Sequence, residues 1–245
     1  MSEVLMKQAA ANLAALRNNP YPGRCVIIGR NLSRKHLVQV SFITGRSGGS
    51  RNRRYKYLGR GRVETEVADP NKETGDPEKT IYAAMAGDSR VFVVSNGRQT
   101  DTIMNDRGRE RGFCEAMRQH TYEDDSISTP RITAFCVIAP GISCTSSMAI
   151  LRRSPFDESC ERNFFEFEKL HPGIGHTLTT YMTDGNPPPT FQGEPYLLPL
   201  NGDSPTEIGD RLWKSLNEPN RVCLAVKLVN LETGEPDEPY LINRY

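Results

Sequence analysis

The stretch Thr44-Gly-Arg-Ser-Gly-Gly-Ser-Arg-Asn-Arg-Arg-Tyr55 decides how the first part of this chain is read. It follows residues 37–43, Leu-Val-Gln-Val-Ser-Phe-Ile, whose alternation predicts a strand. Gly45, Ser47, Gly48, Gly49 and Ser50 then make the backbone small and permissive, while Arg46, Arg51, Arg53 and Arg54 make the side chains cationic. Glycines let main-chain N–H groups approach an anion closely, and guanidinium forks give bidentate, charge-assisted bonds to its oxygens. The stretch reads as a phosphate cradle. The same composition also suits a solvated surface turn, so the signal alone is short of specific.

Outward from this stretch, residues 24–29 predict a strand that pairs with 37–43 as a hairpin across the turn Arg30-Asn-Leu-Ser-Arg-Lys35. Residues 2–17 are rich in strong helix formers and predict an amphipathic helix, which Asn18-Asn-Pro-Tyr-Pro-Gly23 stops. Residues 64–79, rich in Pro, Gly and charge, read as an exposed loop. Strands are expected over 80–85, 90–95, 132–139, 148–152, 163–168, 177–182 and 222–229, with a polar-faced helix over 105–119. Ser204-Pro-Thr-Glu207 is a capping box with Pro at the first helical position and predicts a helix to about residue 217. Runs of strands joined by hairpin-length connections, with helices between groups, make this an α+β fold with mainly antiparallel sheet.

With 245 residues, 37% hydrophobic and 25% charged, the chain has the make-up of a globular protein able to bury a core. No apolar run approaches the ~20 residues of a membrane helix, and the N-terminus lacks the layout of a signal peptide. A cytoplasmic protein with no membrane partner is expected. Six cysteines at 25, 114, 136, 144, 160 and 223 form no CxxC pair, and His171 and His176 flank a Pro-Gly turn, so no metal is expected. The net charge is +1, but residues 4–63 hold 13 Lys/Arg and no Asp/Glu, whereas residues 64–245 carry a net charge of −11. A basic first quarter on an acidic body points to a localised anion site.

Four separated pieces carry a resemblance: Gly29-Arg30-Asn31; Gly45-Arg46-Ser47 continuing to Asn52-Arg53; Val94-Ser-Asn-Gly97 with Thr100-Asp-Thr-Ile103; and Tyr122-Glu123 followed by Thr129-Pro-Arg-Ile132. Together and in this order they resemble the archaeal-type IMP cyclohydrolase family, over roughly residues 24–140. The resemblance implies a four-layer αββα sandwich of mainly antiparallel sheets, similar to N-terminal-nucleophile hydrolases. It also implies ring closure of 5-formamidoimidazole-4-carboxamide ribonucleotide (FAICAR) to IMP and water. Both reacting groups sit on one substrate, so the protein's task is to hold a near-attack rotamer, remove an amide proton and help the formyl oxygen leave. That chemistry needs no cofactor. The expected partner is the nucleotide FAICAR or IMP rather than nucleic acid.

The resemblance assigns residues. Arg53 would bind substrate and stabilise oxyanion charge, where composition alone gives a solvated basic loop. Tyr82, fourteen positions before Asn96, would donate to the formyl oxygen; the plain alternative is a core aromatic. Glu123 matches the family's catalytic carboxylate and would accept the amide proton, its pKa raised by burial; the plain alternative is a solvated acidic helix end. Arg46 and Ser47, with Arg30 and Asn52, would hold the phosphate. Asn96, Thr100 and Asp101 would bond the ribose or base, and Arg131 would fix the carboxylates or form a structural ion pair.

Relatives often carry an acid two positions before the glutamate, and Thr121 stands there in this chain. Residues 1–23 lie ahead of the family's usual start and form a helix and turn before a single domain at 24–245; that helix would cap the core or serve a homo-oligomer contact. Three rival readings stand beside this one: an amide hydrolase needing Ser2 as terminal nucleophile, a nucleic-acid-binding module using the basic quarter, and a nucleotide-binding relative without turnover.

Overall fold

A computed structural model describes residues 3–72, 74, 76–106, 112–139, 141 and 143–245. Its first sheet has the strand order β11-β10-β1-β2-β12-β13. The strands are β1 (Arg24–Arg30), β2 (His36–Thr44), β10 (Ile174–Thr179), β11 (Tyr196–Pro199), β12 (Arg221–Asn230) and β13 (Tyr240–Asn243). The second sheet runs β3 to β9 in chain order. These are β3 (Arg53–Tyr57), β4 (Val63–Val67), β5 (Ala83–Gly87), β6 (Val91–Ser95), β7 (Arg131–Ala139), β8 (Ser143–Arg153) and β9 (Cys160–Phe167). Every named pairing in both sheets is antiparallel.

Period-two alternation explains the layering. Along β2, Leu37 and Ile43 join a core that also takes Met85, Phe92 and Ile150 from the second sheet, so this core lies between the sheets. Val38, Val40 and Phe42 point the other way, onto Leu13 and Leu16 of α1 (Glu3–Asn18) and Ile208 and Leu212 of α6 (Pro205–Trp213). β2 is covered on both faces, which is why it is buried from Leu37 onward, the polar Gln39 and Ser41 included. On the outer face of the second sheet, Ile103 of α4 (Gln99–Asp106) and Phe113, Ala116 and Met117 of α5 (Phe113–Arg118) pack on Val93, Ala149 and Leu151. The N-terminal helix therefore caps the first sheet.

Several sequence expectations need correction. Residues 64–79 are not all loop: β4 pairs with both β3 and β5, and a helical turn, α3 (Pro77–Thr80), lies further on. The cause of the error is visible in the pairing. Arg54, Lys56, Glu64 and Glu66 occupy the outer face, where Arg54 and Lys56 both reach Glu66, while Tyr55, Val63 and Thr65 are buried. The expected helix over 105–119 is two helices, α4 beginning at Gln99 and α5, with residues 107–111 outside the described part. The basic stretch is not one loop: Gly48–Arg51 forms a helical turn, α2, capped by Ser47, and Arg53 already belongs to β3. The capping box at Ser204 and Glu207 forms as expected, but its helix ends at Trp213.

Candidate active site

At one end of the sandwich, Arg24, Arg53 and Arg131 each stand as the first residue of a strand, β1, β3 and β7. Gly23 places Arg24: it adopts φ +76°, and a Cβ there would meet Thr180 Oγ1 at 2.0 Å, so only glycine fits. The Arg24 N–H then donates to Thr180 Oγ1 at 3.0 Å. Asn96 places Arg131. Its Oδ1 accepts from Ile132 N–H and its Nδ2 donates to the Pro130 carbonyl, both at 2.8 Å. Gly97 leaves room beside it, because a Cβ there would come within 2.3 Å of Arg131 Nη1. Tyr82 is tied to β4 through its N–H, which donates to Thr65 Oγ1 at 2.9 Å.

Glu123 sits in the loop between α5 and β7, which folds back on itself. Glu123 N–H donates to the Thr129 carbonyl at 2.8 Å, and Asp125 accepts from the Thr129 N–H and hydroxyl. Glu123 as a whole is 2% exposed, with Arg24 Nη1 at 3.2 Å and Arg131 Nη1 at 4.0 Å from its carboxylate.

The charges shape one another. Burial raises the Glu123 carboxyl above its ordinary value, against the pull of Arg24 and Arg131. Burial works against Arg24 too, but Glu123 and the phenols of Tyr82, Tyr181 and Tyr21 outweigh it and hold the guanidinium charged. Arg53 is lowered by burial and by Arg24, and Arg131 by burial. Burial raises the Tyr82 phenol against Arg24 and Arg53, so it keeps its proton. Arg53 is 8% exposed and its Nε has no hydrogen-bond partner among the described residues.

A pocket of about 630 Å³ opens over this cluster. Arg24, Arg53, Arg46, Ser47, Ser50, Thr129 and Tyr181 line it; Glu123 and Tyr82 stand behind that wall, against Arg24 and Arg53. Arg46 lies over the Tyr21 ring at 4.4 Å, pairs with Asp184 and donates to the Gly185 carbonyl at 2.7 Å.

The structure thus brings Arg53, Tyr82, Glu123 and Arg131 together, with Arg46 and Ser47 on the same pocket. Other expected site residues fall elsewhere. Arg30 ends β1 about 20 Å from Arg24, at ~3.3 Å per residue, and donates to the Arg34 carbonyl. Asn52 clasps Asp69 through its Oδ1 and Nδ2. Thr100 is buried against Ser95, and Asp101 pairs with Arg62. Asn96 acts as an anchor for β7 rather than on the pocket wall. Sequence reasoning does not single out Arg24, because it opens the expected strand 24–29 and lies in none of the matched motifs; a cation at the first position of a buried strand is the signal that marks it.

The basic first quarter is answered in part by the acidic body, among the described residues at five of its 13 cations. Arg24, Arg46, Arg54, Lys56 and Arg62 each meet a carboxylate. A profile of the IMP cyclohydrolase-like protein family matches residues 21–234. The chain belongs to that family. No curated protein matches the sequence. Within this IMP cyclohydrolase-like chain, the matched span takes in every residue of the cluster, and α1 lies ahead of it. Among the described residues no helix is long and apolar enough to cross a membrane.

Proposed function

We propose that this chain is an IMP cyclohydrolase that closes FAICAR to IMP. The observation that carries the reading is the arginine, phenol and carboxylate cluster behind a pocket of about 630 Å³, in a chain of this family. In the reaction the carboxamide nitrogen bonds to the formyl carbon of the same molecule. One proton leaves the carboxamide nitrogen and one the formamido nitrogen, both carbon–oxygen bonds of the formyl group are lost as a C=N bond forms, and the oxygen departs as water.

The residues fit this demand in named roles. Arg53, buried with an unpartnered Nε, meets the oxygen on which charge develops. Arg24 shares that duty from the opposite sheet. Tyr82 keeps its proton next to Arg24 and Arg53, and in this reading substrate binding draws those two side chains apart, so that the phenol donates to the same oxygen and Glu123 comes within reach of the amide. Glu123, raised by burial, takes the amide proton while Arg24 and Arg131 balance its charge. Arg46 and Ser47 hold the phosphate at the outer wall, where binding energy remote from the chemistry fixes the reacting rotamer.

The outer positions of α1 and α6 on one sheet and α4 and α5 on the other support an αββα sandwich similar to N-terminal-nucleophile hydrolases. The core shared by both sheets supports reading 24–245 as one domain with α1 added to it. The test is to supply freshly made FAICAR to the purified chain and follow IMP by chromatography. IMP formed well above the uncatalysed rate supports the reading. No turnover by folded protein that still binds IMP would replace it with a nucleotide-binding relative.

A further inference from the structure

Away from the candidate active site, β7 and β8 bring two thiols together. Cys136 faces Ser146 across the strands and Cys144 faces Ile138, so the cysteines are diagonal neighbours, and their sulfurs lie 3.0 Å apart. Their surroundings differ. Cys136 is wholly buried between the sheets, with the Thr145 carbonyl 3.1 Å from its sulfur. Cys144 is half-buried and lines a second pocket, of about 690 Å³, beside Arg30, Lys169 and Leu170. Cys144 is thus the member of the pair on the pocket wall, and the buried Cys136 is the one next to it.

We propose that Cys144 and Cys136 form an oxidation site that takes a peroxide-class oxidant and closes to an intramolecular disulfide. The Cys144 thiolate attacks one peroxide oxygen; the O–O bond breaks, Cys144 becomes a sulfenic acid and hydroxide departs. The Cys136 sulfur then attacks the Cys144 sulfur, the S–O bond breaks, and the oxygen leaves as water carrying the Cys136 proton. The hydroxide recovers the proton that Cys144 lost. In sum two thiols and one peroxide give one disulfide and two waters, with two electrons passing from sulfur to oxygen. Bond formation closes a gap of roughly 1 Å, from the observed separation to ~2.05 Å.

The division of labour follows the surroundings. The Cys136 thiol holds Cys144 below the ordinary thiol value, against burial and with help from the Arg30 guanidinium, which favours the attacking thiolate. Burial pushes Cys136 up, which keeps it a protonated thiol until the sulfenic acid forms beside it. The other cysteines provide internal controls: Cys25 and Cys223 are fully buried, and Cys114 and Cys160 lie apart on the outer face of the second sheet.

The test uses the full chain, reduced, freed of reductant, exposed to hydrogen peroxide, then alkylated and digested with trypsin. Residues 132–152 form one tryptic peptide holding both thiols. The expected result is that this peptide loses two hydrogens and escapes alkylation, and that reductant restores both sites. Cys136→Ser is expected to stop at a sulfenic acid on Cys144, trapped by dimedone, and Cys144→Ser to leave Cys136 alkylated. Recovery of both cysteines alkylated, or of Cys144 as sulfinic acid with Cys136 still free in the wild-type chain, would overturn the proposal. So would a disulfide found only among the other cysteines.

Discussion

Arg24 Nη1 stands 3.2 Å from Glu123 Oε2, joining the first residue of β1 in one sheet to the loop that feeds β7 in the other. Glu123 is buried and Arg24 mostly so, with side chains 3% and 15% exposed, so each charge depends on the other for much of what water would have supplied. Arg24→Met leaves Glu123 with Arg131 at 4.0 Å as its nearest paired cation. The expected loss in urea unfolding is about 3–5 kcal/mol. Adding Glu123→Gln recovers part of it, a coupling of about 1–3 kcal/mol. Strictly additive losses would show that the contact carries no stability.

Arg46 and Arg30 both begin as phosphate candidates, and the structure puts them on different pockets. A charge-assisted hydrogen bond lost from a phosphate contact is worth about 1.5–3 kcal/mol. Arg46→Ala is therefore expected to lower kcat/KM for FAICAR roughly tenfold or more, through a higher KM and, because the phosphate contact fixes the reacting rotamer, a lower kcat. Arg30→Ala leaves both constants unchanged. Equal effects from the two variants would move the phosphate elsewhere.

Glu123 sets a pH dependence. Burial raises its pKa, so its proton-accepting form fills only as pH rises through a value above the ordinary carboxylate range. The kcat profile of the wild type should show this acid limb, and Glu123→Gln should turn over far more slowly and lack it. Retention of the limb in Glu123→Gln would leave the carboxylate as a fixer of Arg24 and Arg131 and give the proton to another group.

Lys227 is fully buried in β12, with its Nζ donating to the Gly61 carbonyl at 3.0 Å. Burial lowers its pKa from 10.5 to about 7. A folded-state pKa below the unfolded value means the unfolded chain binds more protons between the two. This contribution to stability is thus full above the unfolded value and is lost as pH falls towards 7. The stability of the wild type relative to Lys227→Met should rise by several kcal/mol from pH 7 to the unfolded value, by ~1.4 kcal/mol per unit. A flat difference would mean that Lys227 is hydrated or paired.

The legible and illegible parts of this protein separate on physical grounds. The β1–β2 hairpin and β12 are read from apolar runs, and the helix after Ser204 from its cap, because each signal is local. The strands β3 and β4 escape because their outer faces carry Arg54, Lys56, Glu64 and Glu66, and a cross-strand ion pair looks like loop composition until its partner is known. The layering is equally hidden, since alternation shows that β2 has two faces but not that helices cover one and a sheet the other. In the site, Arg53, Tyr82 and Glu123 are reached through motif order, while Arg24 emerges only from its contact with Glu123. Asn96 and Asn52 look like ligand contacts in sequence and are spent on backbone clasps in the fold.

The central claim is that the cluster around Arg53 carries FAICAR ring closure. The most direct measurement is the single-turnover rate of IMP formation by the wild type beside Arg53→Ala, both checked for folding by circular dichroism. Rapid closure by the wild type is expected, with a fall of ~100-fold or more in the variant, the scale of losing an oxyanion donor. Equal rates in the two proteins would contradict it.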